Sequence, residues 1–574
     1  LSLITGRKKH FFFEKKKQKT FATGCQLLVS PSSIGVARNR QKFFGSFFQK
    51  RTAFFSWEFT MNGAESLVRT LVASGVEACF ANPGTSEMHF VAALDRVEGM
   101  RPVLCLFEGV VTGAADGYGR MAGKPACTLL HLGPGLGNGW ANLHNARRAG
   151  SPIVNVVGDH ARFHVQYDAP LTSDVVALAR TCSAWVHVST NAKSVASDGA
   201  RAVLAARSPP GQIATLVLPA DTAWDEADGD AAALPVPALP QIAGETVDLV
   251  ARVLRSGRRS AILIRGAGLM EAGLAQAGRV AEATGAALLC DTFVPRLQRG
   301  AGRVEVSRIP YFAEQIVEFL DGYEELVLVG AQPPVAFFAY PGKPSWCVPE
   351  GCRITYLAQP HEDSVGALRA LAEALGAADQ PKKRTALRLP DLPTGALNQV
   401  SVGMATAALL PEGAVVIDEA ATSGLAPYGF TSTAAPHDYL GLTGGSIGFG
   451  LPVAVGAAVA CPDRKIVCLH GDGGAMYTVQ ALWTMAREDL DIITVIFANR
   501  SYAILNIELA RVGAGNGGPK ALSMLDIGDP TLDFCKLAEG MGVAASRATT
   551  AEEFVAAFGE AVHERGPRLI EVVL

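Results

Sequence analysis

Apolar runs that alternate with helical stretches constrain this chain more than any other feature of its sequence. Ten such runs follow one another: Cys79–Ala81, Ala126–His131, Ile153–Val157, Thr215–Leu218, Ala261–Ile264, Leu326–Val329, Val415–Ile417, Ile466–Leu469, Ile492–Phe497 and Leu569–Val573. A strand that is apolar on both faces needs cover on both, and a helix between consecutive strands makes them parallel. The expected fold class is therefore α/β. Composition agrees, because 574 residues with 49% hydrophobic and 18% charged side chains supply several cores and exclude gross disorder. Stretches rich in Pro and Ala at 226–243, and in Pro and Lys at 377–397, read as linkers. They divide the chain into 61–225, 244–376 and 398–574, three doubly wound α/β domains.

Residues 1–60 read differently. They hold twelve Lys or Arg against Glu14 and Glu58, contain no Met, and cluster phenylalanines at Phe11–Phe13, Phe43, Phe44, Phe47 and Phe48. This segment is expected to be non-native, a targeting peptide or disordered, with upstream sequence favoured over an organelle address. With a net charge of −3 overall, the remainder is near −13, ordinary for an acidic enzyme and against a nucleic-acid partner. No run of about eighteen apolar residues is present, so no membrane span is expected. Eleven scattered cysteines lack any C-x-x-C pair. Buried reduced thiols and a cytoplasmic location follow as the expectation.

The most specific string is Gly471-Asp472-Gly473-Gly474, with Asn499-Arg500-Ser501 beginning twenty-five positions after Gly474. The first arm follows one apolar run and is expected to open a helix over 477–487; the second ends the next run. Two neighbouring parallel strands thus bring both arms to one carboxyl edge, where α/β ligands bind. A hard cation such as Mg²⁺ takes oxygen ligands. Asp472 offers a carboxylate, Asn499 an amide oxygen, and the backbone near Ser501 a third donor. Gly471, Gly473 and Gly474 let main-chain N–H groups approach a diphosphate. G-D-G alone is a common turn, and its weight comes from the paired arm.

This pairing resembles the signature of thiamine-diphosphate enzymes such as acetolactate synthase, pyruvate oxidase and benzoylformate decarboxylase. Ala498 stands where that signature has the first of two asparagines. The resemblance covers roughly 61–574 and is weakest over 244–376. It implies thiamine diphosphate and Mg²⁺ as cofactors, with Asp472, Asn499 and Ser501 at the metal. Phe107-Glu108-Gly109, followed by Ala114-Ala115-Asp116-Gly117-Tyr118-Gly119-Arg120, is similar to the helix whose glutamate activates the cofactor. Glu108 is accordingly the catalytic carboxyl, meeting N1′ of the aminopyrimidine. Ile447, twenty-five residues before Asp472, matches the bulky aliphatic residue that bends the cofactor.

Further matches concern the substrate. Asn82-Pro83-Gly84-Thr85 resembles the N-P-G-S loop of benzoylformate decarboxylase, with the Thr85 hydroxyl beside the substrate. His131, before the G-P-G-x-x-N segment and twenty-three residues after Glu108, matches that decarboxylase's proton-transferring histidine. A counterpart of its second histidine is missing between Asp291 and Ile309. Gln166 resembles part of the F-Q-E segment of acetolactate synthases and is expected near the cofactor. Ile264-Arg265-Gly266-Ala267-Gly268 is weak support for a nucleotide in the middle domain, and FAD is not favoured. In the family, Glu108 and Asp472 serve one cofactor from different subunits, so a homodimer or homotetramer is implied. The expected function is a 2-oxo acid decarboxylase or carboligase, acetolactate-synthase-like. Alternatives are a benzoylformate-type decarboxylase, a hydroxyacyl-CoA lyase and a silent thiamine-diphosphate-binding homologue.

Overall fold

Every one of the ten apolar runs forms a strand, and each lies in the interior of its sheet. The computed structural model describes residues 60–574, so the expectations for 1–59 fall outside the described residues. Thr60–Leu574 forms one unit. Its first sheet has the spatial order Arg101–Leu104, Ala78–Asn82, Ala126–Leu130, Ile153–Asp159, Ile213–Pro219, Trp185–Val188, all parallel. The second runs Ser307–Arg308, Ala287–Cys290, Ser260–Ile264, Glu325–Val329, Arg353–Ala358, again all parallel. The third runs Ala544–Ala548, Arg568–Val573, Ile492–Ala498, Ile466–Gly471, Val415–Glu419, His437–Gly441, Leu297–Arg299. Only its last pair is antiparallel, and Leu297–Arg299 comes from the middle stretch of the chain. The middle stretch is therefore not self-contained.

Two expected boundaries move. The strand expected to run through His131 stops at Leu130, and His131 caps the helix Leu132–Ala149, which holds the G-P-G segment. The helix expected over 477–487 is interrupted: one turn, Asp472–Ala475, is followed by a break and then by Ala481–Arg487.

The first and third layers meet through two helices, Glu108–Ala122 and Gly450–Ala460. Thirteen residues of the first, Gly109 to Met121, and nine of the second are buried, as expected for helices covered on all sides. Their backbones touch. A Cβ on Gly456 would stand 1.8 Å from the Ala114 carbonyl oxygen, and one on Gly117 would stand 2.2 Å from that of Val453. One hydrophobic core accordingly runs through Phe80, Val110, Ala114, Leu451, Val453 and Ala457. Inside it, the Arg120 guanidinium pairs with Asp116 and donates to the Gly441 carbonyl at 2.8 Å, joining the helix to the third sheet. The Asp116–Arg120 part of the sequence motif is thus an interlayer bolt.

Candidate active site

At the carboxyl edge of the first sheet, three strand ends converge. Asn82 closes one of them: its amide donates to the Cys105 carbonyl at 2.7 Å and holds the segment leading to Glu108. Glu108 is the first residue of its helix and half-buried. Asn138, in the second turn of the neighbouring helix, donates to Glu108 Oε2 at 3.0 Å. Gly135 of the same helix is flanked by both expected catalytic groups. A Cβ there would lie 3.2 Å from Glu108 Oε1 and 3.4 Å from His131 Cβ.

His131 has a partner that the sequence did not single out. Its Nδ1 lies 2.8 Å from Oε2 of Glu87, whose side chain is 1% exposed. That carboxylate also accepts from the Gly84 N–H at 2.7 Å and from Ser86 Oγ at 2.6 Å. Because a carboxylate only accepts, Nδ1 carries the proton and Nε2 remains for other chemistry. Gly84 is required here: a Cβ would stand 2.1 Å from His131 Nδ1. Thr85 is exposed at the tip of this loop.

The third sheet presents a different edge. Asp472 is buried, and burial raises its carboxyl above the ordinary carboxylate range, against the pull of the Arg500 and Gly473 amides. Those amides fix both oxygens: Arg500 N–H donates to Oδ2 at 2.6 Å and Gly473 N–H to Oδ1 at 2.8 Å. Asn499 Oδ1 accepts from the Ser501 N–H at 3.0 Å, and Ser501 Oγ accepts from Asn506 at 2.9 Å. Ala498, at the place of the first asparagine, is simply the buried last residue of its strand. Carboxylate and amide oxygens at the ends of neighbouring strands are the donor set of a hard divalent cation. These residues fit the implied group.

Ile447 sits half-buried in the turn before Gly450–Ala460. That turn is tied to the first layer by Asn142, whose amide donates to the Gly109 carbonyl at 2.8 Å and to the Gly448 carbonyl at 3.2 Å. Asn145 repeats the link one turn later, donating to the Ser446 carbonyl at 2.8 Å. Gln166 is exposed in the short helix Val165–Tyr167, and its amide donates to the Phe163 carbonyl at 2.8 Å. The structure thus brings Glu108, His131 and the Gly84–Thr85 loop to one edge, and Asp472, Asn499 and Ser501 to another. Among the described residues, the Gln166 side chain hydrogen-bonds to neither set. Glu87, Asn142 and Asn145 were missed because their partners are distant in sequence; only Asn138 lay inside a recognised motif.

Comparisons with known proteins follow the same two edges. Residues 61–178 match the family described as thiamine pyrophosphate enzyme, N-terminal TPP binding domain, and residues 423–572 match its C-terminal TPP binding domain. A Mycobacterium tuberculosis protein named "Putative acetolactate synthase large subunit IlvX" is 56% identical over 515 residues, 90% of this chain and 99% of that one. Benzoylformate decarboxylase of Pseudomonas aeruginosa is 31% identical over 87% of this chain and 96% of its own. The solved thiamine-diphosphate-dependent 4-hydroxybenzoylformate decarboxylase of Rhodococcus jostii RHA1 superposes with a TM-score of 0.77 at 26% identity, covering 89% of this chain and 98% of that one. This chain belongs to the family of thiamine-diphosphate-dependent enzymes.

Proposed function

We propose that the chain is a thiamine-diphosphate- and Mg²⁺-dependent 2-oxo acid decarboxylase or carboligase, acetolactate-synthase-like. One observation carries this reading: the first sheet's edge holds Glu108 and His131, and the third sheet's edge holds Asp472, Asn499 and a glycine turn. The first edge moves protons; the second holds an anion and its metal. In this reading 61–225 binds the pyrimidine, and 398–574 binds diphosphate and Mg²⁺ through Gly471, Asp472, Gly473, Gly474, Asn499 and Ser501. When bound, thiamine diphosphate supplies an electron sink beside the substrate carbonyl. Glu108 holds the proton shared with the aminopyrimidine, and Asn138 orients that carboxyl. Ile447 supports the rings. His131, held by Glu87, donates or accepts a proton at the substrate oxygen through Nε2. The family resemblance makes a homodimer the smallest complete unit.

A second reading has a specific support. The imidazole held by the buried Glu87 favours release of the product by protonation, as in a non-oxidative decarboxylase. A panel of 2-oxo acids assayed for CO₂ release, with and without an aldehyde acceptor, tests both. Aldehyde product without an acceptor supports protonation, and product formed only with an acceptor supports ligation. Silence on the whole panel, in protein that has taken up the cofactor, sinks both readings.

A further inference from the structure

Behind the third sheet's edge lies a buried ionisable pair that the proposed chemistry does not use. Glu419 ends the strand Val415–Glu419, and His470 lies beside it in Ile466–Gly471 with register Glu419↔His470. Their side chains are 2% and 0% exposed. The Glu419 carboxylate accepts three successive backbone N–H groups: Gly448 at 2.5 Å, Phe449 at 2.7 Å and Gly450 at 2.5 Å. Gly448 and Phe449 lie in the turn that carries Ile447, and Gly450 opens the helix that follows it. His470 faces the other way as well, for its Nδ1–H donates to the Gly471 carbonyl at 3.0 Å. Its Nε2 stands 3.0 Å from Glu419 Oε2, near enough for an ion pair though not aligned as a hydrogen bond.

Glycines on both sides confirm how closely the pair is clasped. A Cβ on Gly450 would stand 2.7 Å from His470 Cδ2, and one on Gly474 would stand 2.8 Å from Glu419 Oε1. One pair therefore touches the turn that carries Ile447 and the turn that carries Asp472. Strand pairing alone does not connect these turns, because both lie beyond the strand ends. Charge-assisted bonds to a buried carboxylate are strong and directional, so a displaced turn would leave either a charge or several amides unsatisfied.

We infer that Glu419 and His470 are positioning residues that fix the Ile447 turn relative to the Asp472 turn. This rests on the proposed function, since it gives the two turns a common ligand. The test compares the full-length protein with Glu419→Gln, His470→Asn and His470→Leu. Three quantities are read: affinity for thiamine diphosphate with Mg²⁺ by calorimetry, exchange of the cofactor's C2 proton at saturating cofactor by NMR, and melting temperature. Exchange at saturation is expected to fall at least about tenfold in Glu419→Gln, with affinity changing less because Asp472 and Asn499 are intact. His470→Asn, which keeps a donor for the Gly471 carbonyl, should exchange faster than His470→Leu. Should Glu419→Gln not fold, the two His470 variants carry the test. Variants that melt earlier yet exchange like the parent when saturated would overturn the inference and leave a structural pair. A parent protein that takes up no thiamine diphosphate overturns the reading of the site itself, and the pair's role with it.

Discussion

The first and third sheets are built alike, and the proposed function gives their edges opposite work. The first is parallel throughout and the third is parallel but for its last strand, and in both the strand ends deliver glycine-containing loops beside a buried helix. At the first edge the groups of the candidate site are ionisable side chains: Glu87 and His131 pair with each other across two strand ends, and Glu108 accepts from Asn138 of the neighbouring helix. At the third edge they are mostly backbone amides and fixed oxygens, with Asp472 held by two N–H groups and Glu419 by three. Layer architecture says where a ligand binds. Whether the side chains or the backbone face that ligand decides what is done to it.

Exchange between the edges gives the largest expected effect. Glu108→Gln should lower turnover by up to about 10⁴ while keeping cofactor affinity, and Asp472→Ala should lose that affinity. If the two edges of one site come from different subunits, co-expressing these variants restores one intact site per mixed dimer. Failure to recover activity in isolated mixed dimers would put both edges in the same chain. Next, His131→Ala is expected to lose about 10²–10³ in turnover of 2-oxo acids with thiamine diphosphate still bound. Adding Glu87→Gln to it should cost nothing more, because the carboxylate acts through the imidazole. A double variant clearly worse than the single one would give Glu87 a task of its own.

Acid stability should distinguish the third sheet. His437 begins its strand buried, with Nδ1 donating to the Ala435 carbonyl at 2.8 Å. Burial, aided by the charge of Arg299, lowers its pKa from 6.5 to about 4. The unfolded chain takes up this proton at higher pH than the folded one does. The contribution is therefore complete above pH 6.5 and is lost as pH falls through about 4, amounting to about 3 kcal/mol. His437→Asn should flatten the decline of melting temperature over that window; an unchanged decline would assign it to carboxylates. The smallest effect concerns the contact shared by both layers. Gly456→Ala pushes a methyl group into the Ala114 carbonyl and should destabilise by about 1–3 kcal/mol in urea titration, with less change in cofactor affinity.

Legibility in the sequence followed burial. Val415–Ile417 and Ile492–Ala498 lie inside their sheet, largely apolar on both faces, and stood out as continuous runs. Arg101–Leu104, Trp185–Val188 and Ala544–Ala548 are edge strands with exposed or half-buried residues, and their mixed text concealed them. His437–Gly441 is fully buried, yet its HDYLG sequence carries charge that only Arg296 and Arg464, pairing with Asp438, explain. The site behaved in the same way. Asp472 and Asn499 were readable because a glycine-marked strand end and an asparagine at the next strand's end have a fixed spacing. Glu87, forty-four positions before His131, became visible only once two strand ends were folded together.

The short strand Leu297–Arg299 has a consequence for anyone rebuilding this protein. It closes the third sheet against His437–Gly441, and Arg299 stacks 3.8 Å from the ring centre of Tyr428 behind it. Replacing the middle stretch with one that lacks this strand would uncover a row of backbone donors and acceptors along His437–Tyr439, a template for adhesion between molecules. A chimera therefore has to keep this three-residue strap, or the graft will trade a new middle for an enzyme that sticks to itself.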